Sequence, residues 1–166
     1  MPELYQIVDA QDNPVGFKLR NNIDFTEDYF RVSALWLTNS IGQVLIAQRV
    51  LTKDNDPGKW GPAAAGTVEK DETYATNMYK EAEEELGLQG IAFSPGPKMR
   101  VETPRRYFLQ WFFGKSDMDA TDFKPQPSEV AQVMWIDRQA LIRDVVKTPE
   151  LYVPTMPLAI NEFCVE

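Results

Sequence analysis

Three glutamates, Glu81, Glu84 and Glu85, stand at i, i+3 and i+4 near the middle of a 166-residue chain. On a helix that spacing brings carboxylates to one side, where like charges cost roughly 0.2–0.5 kcal/mol per pair. A hard divalent cation, Mg²⁺ or Mn²⁺, would convert the repulsion into coordination, because such ions take carboxylate oxygens. A solvated acidic face is the commoner meaning of such a pattern, so the flanking residues must decide. Residues 66–88 carry seven acids (Glu69, Asp71, Glu72, Glu81, Glu83, Glu84, Glu85) against Lys70 and Lys80.

What else the chain could do is narrowed by what it lacks. There is no histidine, which removes Ser-His-Asp and Cys-His triads, imidazole zinc sites and histidine bases. A lone cysteine, Cys164, excludes an internal disulfide framework and any multi-cysteine metal site. Acid–base and metal chemistry must therefore run on carboxylates, lysines and tyrosines. The net charge of −8 argues against long nucleic acid as a partner. No 18-residue apolar run suggests a membrane, and the N-terminal residues lack a basic, apolar export signal. A cytoplasmic setting is the expectation.

The elements that must position the acids follow from period and turn chemistry. Residues 4–9 and 15–20 read as strands around the turn Ala10–Pro14, an N-terminal hairpin. Residues 32–38 and 43–49 make a second hairpin through Asn39–Gly42. A long loop, residues 51–62, is dense in Asp, Asn, Gly and Pro and so is a functional candidate. From Thr73 to Leu86 the period becomes helical, with Asp71 or Thr73 as the cap and Gly87 at the end. At 100° per residue Ala75, Met78, Tyr79, Ala82 and Leu86 fall within about 60° of one direction and should face the core. Glu81, Glu84 and Glu85 then span an arc of about 100° on the far side. Residues 105–114 and 131–137 read as strands, 138–146 as a helix, and 158–165 as a further one. The strand Tyr107–Phe113 is apolar on both faces, which marks it as central. Strands outnumber helices without a βαβ rhythm, which favours an α+β fold with a mixed sheet.

Gly66, Glu72, Lys80, Glu81, Ala82, Glu84, Glu85, Gly87 and Leu88 match G-x5-E-x7-R-E-U-x-E-E-x-G-U, with U aliphatic, at every spacing. Only Lys80 departs, standing where arginine is usual. The chain thereby resembles the Nudix family. Residues 35–49, 57–66 and 128–137 also look like Nudix proteins, in particular the branch related to isopentenyl-diphosphate isomerase. The resemblance implies one Nudix domain over residues 1–166: an α/β/α sandwich with a mixed sheet. Residues 1–31 would be a hairpin extension, and 66–88 the loop–helix–loop box. It implies hydrolysis of a nucleoside diphosphate linked to another moiety, by water attack at phosphorus with Mg²⁺ or Mn²⁺. Glu81 and Glu85 would be direct metal ligands, Glu84 a ligand or the base, and Glu72 an aid at the metal's edge. Lys80 would pair with a box carboxylate, although lysine lacks arginine's bidentate fork. Gly66 is expected at a tight turn into the loop, and Gly87 closes the helix.

Outside the box, Glu129 is a candidate further ligand or base, as some relatives supply one there. Arg49, Lys53 and Lys59 flank the long loop, and Arg100, Arg105 and Arg106 precede the aromatic strand. One or two of these cations should meet substrate phosphate. Arg106 is taken with the first three as a binding candidate. Trp60 and Tyr107 are candidates to cover a base or another apolar part of the substrate. The implied partner is a small phosphorylated molecule, a nucleotide derivative first. Nothing selects between monomer and homodimer. The isomerase reading is disfavoured because its chemistry needs a Cys and its metal site several histidines. A non-catalytic nucleotide-binding module ranks below the hydrolase because the box glutamates are all present.

Overall fold

The computed structural model describes residues 2–164. The chain opens with the expected hairpin, β1 (Leu4–Val8) and β2 (Pro14–Leu19), paired antiparallel around a turn in which Asp12 takes a φ of 66°. It continues through β3 (Tyr29–Thr38), β4 (Gln43–Arg49), the two-residue β5 (Trp60–Gly61) and β6 (Ala64–Thr67). Helix α1 (Tyr74–Leu86) follows, then β7 (Ser94–Val101), β8 (Tyr107–Lys115) and β9 (Val130–Asp137). Two helices, α2 (Arg138–Lys147) and the short α3 (Thr155–Ala159), close the chain.

The sheet is mixed, as expected. Parallel to β8 over its whole length, β3 also pairs antiparallel with β6 and, at its start, with β1. The second hairpin touches its own partner only at Thr38–Val44, after which β4 diverges to pair with β5 and β9. That splay opens a cleft between the two halves of the sheet.

Alternation along the central strands divides the core between two faces. Ala34, Trp36, Val44, Ile46, Leu109 and Trp111 pack with Leu141 and Val145 of α2 and Met156 and Ala159 of α3. Leu35, Leu37, Leu45 and Phe112 pack instead on Met78, Ala82 and Leu86 of α1. The result is the helix–sheet–helix layering of an α+β sandwich. Each fully buried Leu or Met contributes about 1.5–3 kcal/mol, so the seat of α1 on the sheet is firm.

Two expectations are corrected, and one strand is added. Ala75 and Tyr79 of α1 are exposed, while Asn77 takes a buried place. The inward face is rotated because Glu81 and Glu85 occupy one edge of it. Strand β7 carries no sequence signal, since Pro95 and Pro97 argue against a strand; it lies at an edge with a register shift between Pro95 and Lys98, where missing donors are tolerated. The last helix starts at Thr155, earlier than 158, and runs through Pro157 into a π turn, Ile160–Cys164. Val165 lies outside the described residues.

Candidate active site

Helix α1 is built to hold still. Thr73 accepts the Thr76 N–H while the Thr76 hydroxyl accepts the Thr73 N–H, a reciprocal cap of the first turn. Gly87 closes the other end at φ 66°, and its N–H bonds the carbonyls of Ala82 and Glu83. Between these stops the helix lies against β6, and the carboxylates of Glu81 and Glu85 point at that strand.

Glu81 rests across Gly66. A Cβ at that position would collide with the carboxyl carbon and Cγ of Glu81 and with its Oε1. Gly66 is therefore in β6, paired with Ser33, with no left-handed backbone. The expected tight turn is not what demands glycine; the close approach of Glu81 is.

Glu85 accepts the Ala65 N–H at 3.2 Å. Burial and then the neighbouring Glu81 charge push its pKa up to about 8. Burial likewise raises Glu81 to about 7, with Glu84 and Glu72 adding to the rise and Lys80 opposing it. Among the described residues, the hydrogen-bond donor to Glu81 is the Asn77 amide, at 3.4 Å. Asn77 is itself wholly buried, and its Oδ1 has no hydrogen-bond partner among the described residues. Two half-buried carboxylates, each with one weak hydrogen-bond donor, suit a hard divalent cation, which takes carboxylate oxygens. Among the described residues, no three acidic side chains converge on one point as they stand. Glu84 is exposed, and Glu72 shares the Asn77 amide with Glu81.

Lys80 bridges Glu69 and Glu72 at 2.7 Å each and lies 3.9 Å from Glu81. Glu72 also accepts the Glu69 N–H and the Asn77 amide, both at 2.9 Å. Burial tends to raise Glu72, but these partners outweigh it and hold it below its ordinary value. Lys80 and Glu72 thus brace the loop into α1 rather than reach the cleft. The expected pairing of Lys80 with a box carboxylate is realised through Glu72.

Glu85 forms part of the wall of a cavity of about 410 Å³ between the two halves of the sheet. Arg49, Tyr107 and Glu129 line it, as does Arg105, one of the six cations considered for phosphate, and so do Asn55 and Phe30, which the sequence did not place there. Arg49 donates to the Asn55 carbonyl at 2.9 Å, and Arg105 bonds the Asn55 side chain while lying over Phe25 at 4.2 Å. Lys53 pairs with Glu129 at the same side, and Lys59 with Asp56 at 3.2 Å.

Four binding candidates do not line the cavity: Lys53 and Lys59, held by Glu129 and Asp56, together with Arg106 and Trp60. Arg106 turns to Glu27 and Glu102, because alternation before β8 sends it opposite to Arg105. Trp60 packs against the core face that carries α2 and α3, where its carbonyl accepts the Val153 N–H. The parity of Arg105 with Tyr107 was the signal that could have found it. Cys164 is buried in that same core and does not line the cavity.

Comparison with known proteins agrees with this geometry. A family model described as NUDIX domain matches residues 29–155. An "Uncharacterized Nudix hydrolase" of Yersinia pestis is 30% identical over 134 residues, 81% of this chain and 72% of that protein. An isopentenyl-diphosphate Delta-isomerase of Kocuria rhizophila is 26% identical over 97% of this chain and 92% of its own length. The crystal structure of DR0079 from Deinococcus radiodurans superposes with a TM-score of 0.84 at 22% identity, covering 97% of this chain and 99% of that one.

Proposed function

The chain belongs to the Nudix family of hydrolases, and on that premise we propose that it cleaves the pyrophosphate bond of a small nucleoside-diphosphate derivative by water attack at phosphorus. The observation that carries this reading is the half-buried pair Glu81 and Glu85, the second of which opens on a cavity with cations on its other walls. We take residues 1–166 as one Nudix domain, hairpin included.

Glu81 and Glu85 would hold the Mg²⁺ or Mn²⁺, with Glu84 as a further ligand or the base and Glu72 at the edge. Bound there, the cation would neutralise diphosphate charge and lower the pKa of a water. The chain's own residues supply the rest. Arg49 and Arg105 face the cavity and offer guanidinium donors to phosphate oxygens. Phe30 and Tyr107, with ring centroids 5.4 Å apart, form a wall for a base or another flat apolar group. Glu129 is the second candidate for the base, released when Lys53 turns to a phosphate.

The isomerase relative keeps a second reading in view, and the chemistry of this chain opposes it. It has no histidine, and its one thiol is buried away from the cavity. The deciding experiment measures phosphate release from nucleotides, nucleotide sugars and dinucleotides with Mg²⁺, Mn²⁺ or EDTA, with isopentenyl diphosphate alongside. Metal-dependent release supports the hydrolase. Isomerised isopentenyl diphosphate, or tight nucleotide binding without turnover, would overturn it.

A further inference from the structure

The N-terminal hairpin lies outside the matched residues 29–155, yet it grips the loop that leads into α1. The grip is Gln6, a buried polar side chain in the middle of β1. Its amide nitrogen faces three carbonyls, those of Glu69 at 2.9 Å, Lys70 at 3.2 Å and Glu72 at 2.6 Å. Its own oxygen accepts from Arg31 at 2.9 Å. Arg31 is anchored in turn: its Nε donates to the Asp12 carboxylate and Nη2 to the Asp12 carbonyl, each at 2.7 Å. Lys98 and Tyr74 close on the same carboxylate, at 2.6 and 3.0 Å. The backbone joins in, with Gln6 N–H on the Val68 carbonyl and Lys70 N–H on the Leu4 carbonyl. Both polar atoms of the Gln6 side chain are thus engaged, the two amide hydrogens being shared among three loop carbonyls.

What the loop holds gives this grip its meaning. Glu69 and Glu72 both bond Lys80, and Glu72 shares the Asn77 amide with Glu81. An arginine at position 80 could clamp both carboxylates with a rigid fork; the lysine ammonium has no such directionality. The loop must then be fixed from its backbone side, and Gln6 is the group that does so. We propose that Gln6 is a positioning residue for the metal-binding face of α1, acting through residues 69–72, Lys80 and Asn77 on Glu81. The inference rests on the functional reading above, in which Glu81 holds the cation. Groups that orient metal ligands are worth about 10–100-fold in affinity when removed.

The test titrates Mn²⁺ alone into wild type, Glu81→Gln, Gln6→Met and the milder Asp12→Asn, with hydrogen exchange of the 69–72 amides measured without metal. Gln6→Met keeps the side chain's length but removes its polar groups. It is expected to bind Mn²⁺ about tenfold more weakly and to exchange faster at Glu69 and Lys70, with Asp12→Asn shifted the same way by less. Adding Lys80→Arg to Gln6→Met should recover most of the affinity, since the fork replaces the lost backbone grip. A Gln6→Met protein that melts lower but binds Mn²⁺ like wild type overturns the inference alone. If Gln6→Met does not fold, Asp12→Asn decides by the same comparison. A wild type that binds no Mn²⁺, or a Glu81→Gln variant that binds it equally well, removes the functional reading and this inference with it.

Discussion

Glu81 and Gly66 occupy space that only a glycine permits: the carboxyl group of one lies where the other would carry its Cβ. The contact ties the first residue of the sequence pattern to a glutamate fifteen positions later, across the gap between β6 and α1. It also explains the glycine without any appeal to backbone strain.

Gly66→Ala should therefore fold and still lose function. The new methyl group must push Glu81 aside, at about 1–3 kcal/mol if the helix edge gives way. Displacing a reacting group by about 1 Å can cost a hundredfold in rate, so turnover should fall by about that factor. Thermal melting and steady-state kinetics on one preparation check both halves. Near-normal activity would mean that Glu81 is not where the chemistry needs it.

Glu85 makes stability depend on pH in an unusual direction. An unfolded chain releases this proton near 4.5, whereas the folded state holds it to about 8, mainly because of burial. Between those values the native state binds more protons, so in EDTA stability falls as pH rises through the window. Glu85→Gln removes the penalty. At pH 9 the metal-free variant should be more stable than wild type by up to about 5 kcal/mol, and near pH 4 the two should coincide. Urea unfolding across that range measures it; a variant less stable at pH 9 would contradict the half-buried, uncompensated placement of Glu85.

The two adjacent arginines should separate cleanly. Arg105 lines the cavity, and its loss should raise KM about tenfold, the value of one charge-assisted hydrogen bond. Arg106 pairs weakly with Glu27 and Glu102 on an exposed surface, and Arg106→Ala should leave the kinetics within about twofold of wild type. Equal effects would mean that phosphate approaches from outside the cavity.

Much of this was legible in the residues, for physical reasons. Both ends of α1 are written in its caps, Thr73 and Gly87, and the central place of β8 in its two apolar faces. The mixed sheet follows from strands without a βαβ rhythm. The orientation of α1 was not legible, because a wheel that sorts residues by polarity puts Glu81 and Glu85 outside. Only the tertiary fit against Gly66 and the Ala65 N–H brings them in. Strand β7 was hidden by two prolines, which an edge tolerates. Arg105 and Arg106 are indistinguishable by type, and only the parity of the following strand tells them apart. Gln6 gave no signal, since its partners are backbone carbonyls more than sixty residues away.

The most direct test compares wild type and Glu85→Gln on whichever nucleoside-diphosphate derivative the wild type hydrolyses, with saturating Mn²⁺ and matched melting curves. The expected result is a folded variant whose turnover is lower by several orders of magnitude while EDTA silences the wild type. A folded Glu85→Gln protein with near-full turnover would contradict the assignment of Glu85, and with it the site proposed for the reaction.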